Sequence, residues 1–203
     1  MVIFVTANTQ KHMKRLIITL AILFITFSSF AQTTKLAVKG VPIEGTAKEF
    51  AAKLVAKGCT IDDENKNVGY IGLFGTFMNR PNTPIIIYTG QGKDIMFVGV
   101  QLECESNWTP LEDLYWQTVN TYKVKYGQPD EHVETFVESS QPTDDFYKYL
   151  CLKTGTCNFF SKWIIGATQM IAISINYTNY QPNVSIVYTP AVDKLQQAVY
   201  EDI

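Results

Sequence analysis

His132 is the residue through which most familiar side-chain chemistry would have to pass. It is the one histidine beyond residue 31, and it stands among Asp130, Glu131 and Glu134. A Ser-His-Asp or Cys-His arrangement would need it, yet nothing in the sequence brings a nucleophile to it, so it reads as a solvated surface residue. A single histidine also excludes a histidine-rich zinc site or an acid–base histidine pair within one chain. The run Asp62-Asp63-Glu64-Asn65-Lys66-Asn67 offers oxygens at alternate positions, as calcium prefers. Counted from Asp63, however, the turn glycine is replaced by Val68 and the closing glutamate by Phe74, so the EF-hand pattern fails and a polar hairpin turn is expected. Gly69, Gly72 and Gly75 lie inside strand-like sequence, not between a strand and a helix. That excludes a phosphate loop and points to bulges or tight packing under a neighbour. No catalytic residue, metal site or cofactor is assigned.

Four cysteines, Cys59, Cys104, Cys151 and Cys157, allow three disulfide pairings. Cys151 and Cys157 flank Leu152-Lys153-Thr154-Gly155-Thr156, which reads as a hairpin tip and would leave Cys59 to find Cys104. Small buried thiols are the competing reading for that second pair.

The elements that would position these groups are marked by caps and periodicity. Thr46-Ala47-Lys48-Glu49 is a capping box, followed by the apolar stripe Phe50, Leu54, Val55 and a stop at Gly58. Thr109-Pro110-Leu111-Glu112 reads as a second box, and Leu111, Tyr115, Val119, Tyr122 and Tyr126 keep helical spacing up to Gly127 and Pro129. Strands are expected over 68–77, 84–89, 95–102, 133–137, 147–153, 158–165, 169–177 and 184–188, with a closing helix over 190–201. Turns are expected at Asn79-Arg80-Pro81-Asn82 and Gly90-Gln91-Gly92-Lys93. Short turns force antiparallel neighbours. The reading is therefore an α+β fold: an antiparallel sheet built from two helix-then-strand-meander repeats, 40–104 and 105–189, with helices packed on one side.

Ahead of this domain lies a secretory pattern. Met13-Lys14-Arg15 is a positive start, and Leu16 to Phe27 is an apolar run of about 12 residues. Ser28-Ser29-Phe30-Ala31 supplies small residues before a cut between Ala31 and Gln32. The run is shorter than the roughly 20 residues of a membrane span. Residues 1–31 are thus an upstream extension and cleaved signal, and 32–203 a single α+β domain, periplasmic or secreted, with no membrane span after cleavage. That address makes disulfides plausible. Of the 17 basic residues, Lys11, Lys14 and Arg15 fall in the removed part; the rest face 19 acids, with Arg80 the single arginine. An acidic domain so poor in arginine is not built for nucleic acid.

The segment Lys39-Gly40-Val41-Pro42-Ile43-Glu44-Gly45-Thr46 resembles the "F-K-G-I-P-I-D-G-T" strand of a group of uncharacterised secreted proteins of Bacteroides-type bacteria. Lys125-Tyr126-Gly127-Gln128-Pro129 is similar to that group's "K-Y-G-K-P", and the acidic end Glu201-Asp202-Ile203 fits as well. The resemblance implies structural caps and turns and transfers no activity. The helix-then-meander order also resembles the beta-lactamase-inhibitor-protein type of fold, whose sheets bind other proteins; fold alone does not assign function.

All 11 tyrosines and 3 tryptophans follow residue 31, and such residues are enriched at interfaces. The expected function is a non-catalytic secreted or periplasmic binding module for a protein or glycan of unknown identity. It would use an aromatic sheet face or its loops, with Trp108, Trp116, Trp163, Tyr177 and Tyr180 as candidate contacts. The alternatives are an envelope hydrolase acting through paired carboxylates and a self-associating structural envelope protein.

Overall fold

The computed structural model describes residues 35–63, 69–89, 94–137 and 142–192. The signal segment 1–31, the turn 90–93, most of the 190–201 helix, the acidic C-terminus and the second half of the 62–67 turn lie outside them. The elements run β1 (Ala37–Val38), β2 (Val41–Pro42), α1 (Ala47–Ala56), β3 (Thr60–Ile61), β4 (Tyr70–Phe77), β5 (Arg80–Thr89), β6 (Ile95–Glu103). They continue as α2 (Trp108–Tyr126), β7 (Glu131–Phe136), α3 (Asp145–Thr154), β8 (Cys157–Ile165), β9 (Gln169–Thr178) and β10 (Gln181–Thr189). The fold is α+β: an eight-stranded antiparallel sheet of order β3-β4-β5-β6-β10-β9-β8-β7 and a small β1–β2 hairpin. Among the described residues there are three helices, none long and apolar enough to cross a membrane.

Local chemistry explains most boundaries. Thr46 caps α1 as its sequence requires: its hydroxyl accepts from the Glu49 amide, while Glu49 Oε2 accepts from the Thr46 amide at 2.9 Å. For α2 the expected box is not the cap. The helix starts two residues earlier, at Trp108, with Asn107 as N-cap accepting from the Trp108 amide at 2.7 Å. Thr109 is instead inside the first turn, where its hydroxyl donates to the Asp145 carboxylate. Gly127, at φ 82°, ends α2 as read.

The largest correction concerns 147–153, expected as a strand and found within α3. Asp144 caps it by accepting from the Tyr147 amide at 3.0 Å, and Gly155 closes it in the left-handed conformation at φ 69°. Asp145, Lys148, Tyr149 and Leu152 are the more buried positions, a helical spacing that outweighs the alternating tyrosines. Three two-residue hairpins, Lys39-Gly40, Met78-Asn79 and Asn179-Tyr180, have positive φ at both central residues, the type I′ geometry that matches strand twist. The turn expected at 79–82 is thus Met78-Asn79, with Arg80, Pro81 and Asn82 already in β5.

That α3 correction removes the hairpin tip that was to carry a disulfide. Cys151 sits in the last turn of α3 and Cys157 heads β8. All four cysteines are free thiols. Cys59 precedes β3 and Cys104 follows β6; with β4 and β5 between them, they are separated by three strand spacings, roughly 14 Å, beyond the reach of a bridge. Burial pushes the Cys59 and Cys104 thiols up, and that of Cys157 to about 11, so they pack as small apolar groups.

The core lies on one face of each strand. Leu73, Ile85, Val100, Ile186 and Ile173 are cross-strand neighbours in one row, and Ile87, Val98, Tyr188, Ile171 and Trp163 in the next. All ten are buried, each aliphatic side chain contributing roughly 1.5–3 kcal/mol. α1 lies against β4 and β5, α2 against β9 and β10, and α3 against β8, β9 and α2.

Two strand glycines differ in what surrounds them. A Cβ on Gly75 would sit 2.7 Å from Cys59 Sγ, whereas one on Gly99 would meet nothing within 4 Å. Gly72 likewise lies close under Asp62, so the expected tight packing holds at Gly72 and Gly75. Gly75→Ala should therefore lose about 1–3 kcal/mol through overpacking, while Gly99→Ala should gain up to about 1 kcal/mol by stiffening the unfolded chain. Urea unfolding midpoints should move in opposite directions.

Candidate functional site

Strand register brings a nucleophile type to His132 that its sequence neighbours do not. β7 pairs with β8 so that His132 stands opposite Ser161. Ser161 Oγ lies 2.8 Å from His132 Nδ1 and 2.9 Å from the Tyr115 hydroxyl on α2, and His132 Nε2 is 3.2 Å from Glu134 Oε1. The Trp116 ring packs 5.4 Å from the imidazole. His132 is an exposed residue, as its sequence suggests, with Ser161 and Glu134 as partners of its two ring nitrogens. The order serine, histidine, carboxylate is that of acyl-transfer sites, but Ser161 is 0% exposed and shared with Tyr115. A substrate carbonyl has no approach to it. The cluster ties α2 to the sheet edge, and burial raises the Tyr115 phenol to about 12.

The five expected aromatic contacts are dispersed. Trp108 and Trp163 are fully buried. Trp163 Nε1 donates to the Gly127 carbonyl at 2.9 Å, and the Trp108 ring packs edge-on against Phe159. Trp116 is half-buried between His132 and the Lys123 ammonium. Tyr177 is half-buried, edge-on to Tyr149 with Lys153 over its ring. Tyr180 alone is open, 87% exposed at the tip of the β9–β10 hairpin with φ 62°. These residues form no common surface.

A different set does. Side chains alternate along each strand, so the partners of the core rows lie on the opposite face. There Tyr70 pairs with Tyr88, and Tyr88 with Phe97, giving ring centroids 5.9 and 4.2 Å apart. Beside this row runs a lane of mostly small or aliphatic residues, Gly72, Ile86, Gly99, Val187 and Ala172. Beyond it lie Gln101, Ser185 and Ser174. Apart from Gly72, all of these are partly exposed. The signal was the strict alternation of 95–102, in which Phe97, Gly99 and Gln101 oppose the core set.

Carboxylates also converge in one place. A cavity of about 420 Å³ is lined by Glu44, Glu49 and Asp94. Neither glutamate is tuned as a proton donor. Lys35 at 3.2 Å and Lys53 at 3.8 Å hold the exposed Glu44 carboxyl below the ordinary range, and the Thr46 amide does the same for Glu49. General acids in glycoside cleavage need the opposite shift. Among the described residues no group of three or more His, Cys, Asp or Glu side chains is placed to hold a metal.

Ser161→Ala should leave the buried Tyr115 hydroxyl without its partner and lower stability by about 1–3 kcal/mol in denaturant titrations. Because folding raises the Tyr115 pKa above its ordinary 10.0, its contribution is intact below pH 10.0 and lost as pH climbs through about 12. Unfolding free energy should fall over that interval, in step with tyrosinate absorbance. No protein-family model, no curated protein and no solved structure matches the chain.

Proposed function

We propose that the chain is a non-catalytic, secreted or periplasmic binding module that holds a protein partner on the open face of its sheet. The observation that carries this reading is Gly99. A glycine inside a central strand weakens that strand, and at this position no neighbouring atom of the fold requires the missing side chain. Such a glycine suits the close approach of another backbone. It is flanked by Phe97 and Tyr88 on one side and polar Gln101 and Ser185 on the other, an apolar-to-polar gradient typical of protein interfaces.

Two finer features support the same reading. The sheet order is symmetric about β6–β10, as expected if 40–104 and 105–189 are two copies meeting there. The second copy differs in carrying α3 between β7 and β8. The neighbours of α1 and α2 belong to strands whose buried rows share one face, which favours helices packed on one side and leaves the other for a partner. This is also the arrangement implied by the resemblance to the beta-lactamase-inhibitor-protein type of fold. The Glu44–Glu49 cavity, with both glutamates held ionised, gives little support to the hydrolase alternative.

Tagged protein beginning at Gln32 should capture one saturable protein from detergent-treated envelope or culture fluid. Gly99→Lys should abolish that capture with its unfolding midpoint within about 1 kcal/mol of wild type, and Phe97→Ala should weaken it by about tenfold or more. Undiminished capture by both variants would refute the face as the binding surface.

A further inference from the structure

A second cavity, of about 300 Å³, opens between the β1–β2 turn, the β4–β5 hairpin and the end of α2. It shares no lining residue with the open sheet face. Its floor includes Tyr122 and Tyr188, whose hydroxyls are hydrogen-bonded to each other. Two hydroxyls joined in this way use one of their two protons, and among the described residues neither has another partner. One O–H therefore remains to be donated.

The cavity is also electrostatically one-sided. Lys39 and Lys125 line it, and no acidic residue does, although the chain as a whole carries a net charge of −2. Among the described residues neither lysine is paired with a carboxylate. Lys39 Nζ donates to the Thr76 carbonyl at 2.7 Å, keeping two further N–H donors, and Lys125 Nζ stands 4.8 Å from the centre of the Tyr126 ring. Both rim turns hold side-chain-bearing residues at positive φ, Lys39 at 52° and Met78 at 47°, where glycine would be unstrained. A register shift between Gly75 and Phe77 re-aims the adjoining strand end that lines the cavity.

We infer that this cavity binds a carboxylate carried on a flat apolar body, with Lys39, Lys125 and the tyrosine hydroxyl pair turned to the anion and the Tyr126 and Met78 side chains to the body. The volume is at the lower end for small-molecule sites, which sets the ligand at roughly the size of one aryl acid. The same chemistry is offered by a free aryl acid and by a peptide ending in phenylalanine.

Calorimetric titration of the purified protein with phenylpropionate, with its neutral amide, and with acetyl-glycyl-phenylalanine in acid and amidated forms tests this directly. At least one carboxylate should bind, about tenfold or more tighter than its amide. The tighter of the two acids names the source. Lys125→Met and Lys39→Met should each weaken that binding about tenfold. Absence of binding by both acids at millimolar concentration, equal binding of acid and amide, or full affinity in both lysine variants would overturn the assignment.

Discussion

The pairing of β6 with β10 is the contact on which the rest of the molecule depends. These strands are far apart in sequence and central in the sheet, joined antiparallel from Asn183–Glu103 to Tyr188–Val98. Side chains alternate with a period of two, so a slip of one residue would turn Val98, Val100 and Leu102, or Val184, Ile186 and Tyr188, out of the core. In the same movement Phe97, Gly99, Ser185 and Val187 would turn into it. The buried rows and the proposed binding face are thus consequences of one register. That register is held by the fit of Val100, Ile186 and their row-mates in the core, since antiparallel hydrogen bonding alone accepts either alignment.

The two faces use polar chemistry in opposite ways. On the side of the buried rows, Tyr115, Ser161, His132 and Glu134 form a chain in which one buried hydroxyl serves two partners. Its arrangement imitates a catalytic triad, but burial converts it into a brace between α2 and the exposed edge strand β7. On the other side, polar groups lie beside an aromatic row and a glycine with empty space above it, where contacts with another molecule need no rearrangement of the core. The lysine-lined cavity shares no residue with that open face; its Tyr188 belongs to a buried row and its Tyr122 and Lys125 to α2. It draws on the β1–β2 turn, whose Lys39-Gly40 sequence had been read only as a structural motif.

Much of the local structure was legible because local interactions set it. The Thr46 capping box and the Gly127 stop each need only a few adjacent residues and are present; the alternation of 95–102 holds from Phe97 to Leu102, but Ile95 is buried beside the register shift at Tyr88–Thr89. Segment 147–153 was misread because Tyr147, Tyr149 and Cys151 alternate like a strand, while the decisive signals, the Asp144 cap and the left-handed Gly155, flank it. The cysteine pairing was lost with it, since the assumed hairpin was a helix end. His132 and Ser161 lie far apart in the chain and meet only through the β7–β8 register, which no local pattern reports. The five aromatic candidates were chosen by residue type; type alone did not separate Trp163, hydrogen-bonded inside the core, from Tyr88, stacked on the open face.

The central claim is that the proposed open face of the sheet, and not the Trp116–His132 edge or the Tyr180 tip, meets the partner. Hydroxyl-radical footprinting of the protein alone and saturated with its captured partner reads this side chain by side chain. Protection should appear at Tyr88 and Phe97 on that face while Trp116 and Tyr180 keep their reactivity. Protection confined to Trp116 or Tyr180, with Tyr88 and Phe97 unchanged, would contradict the account.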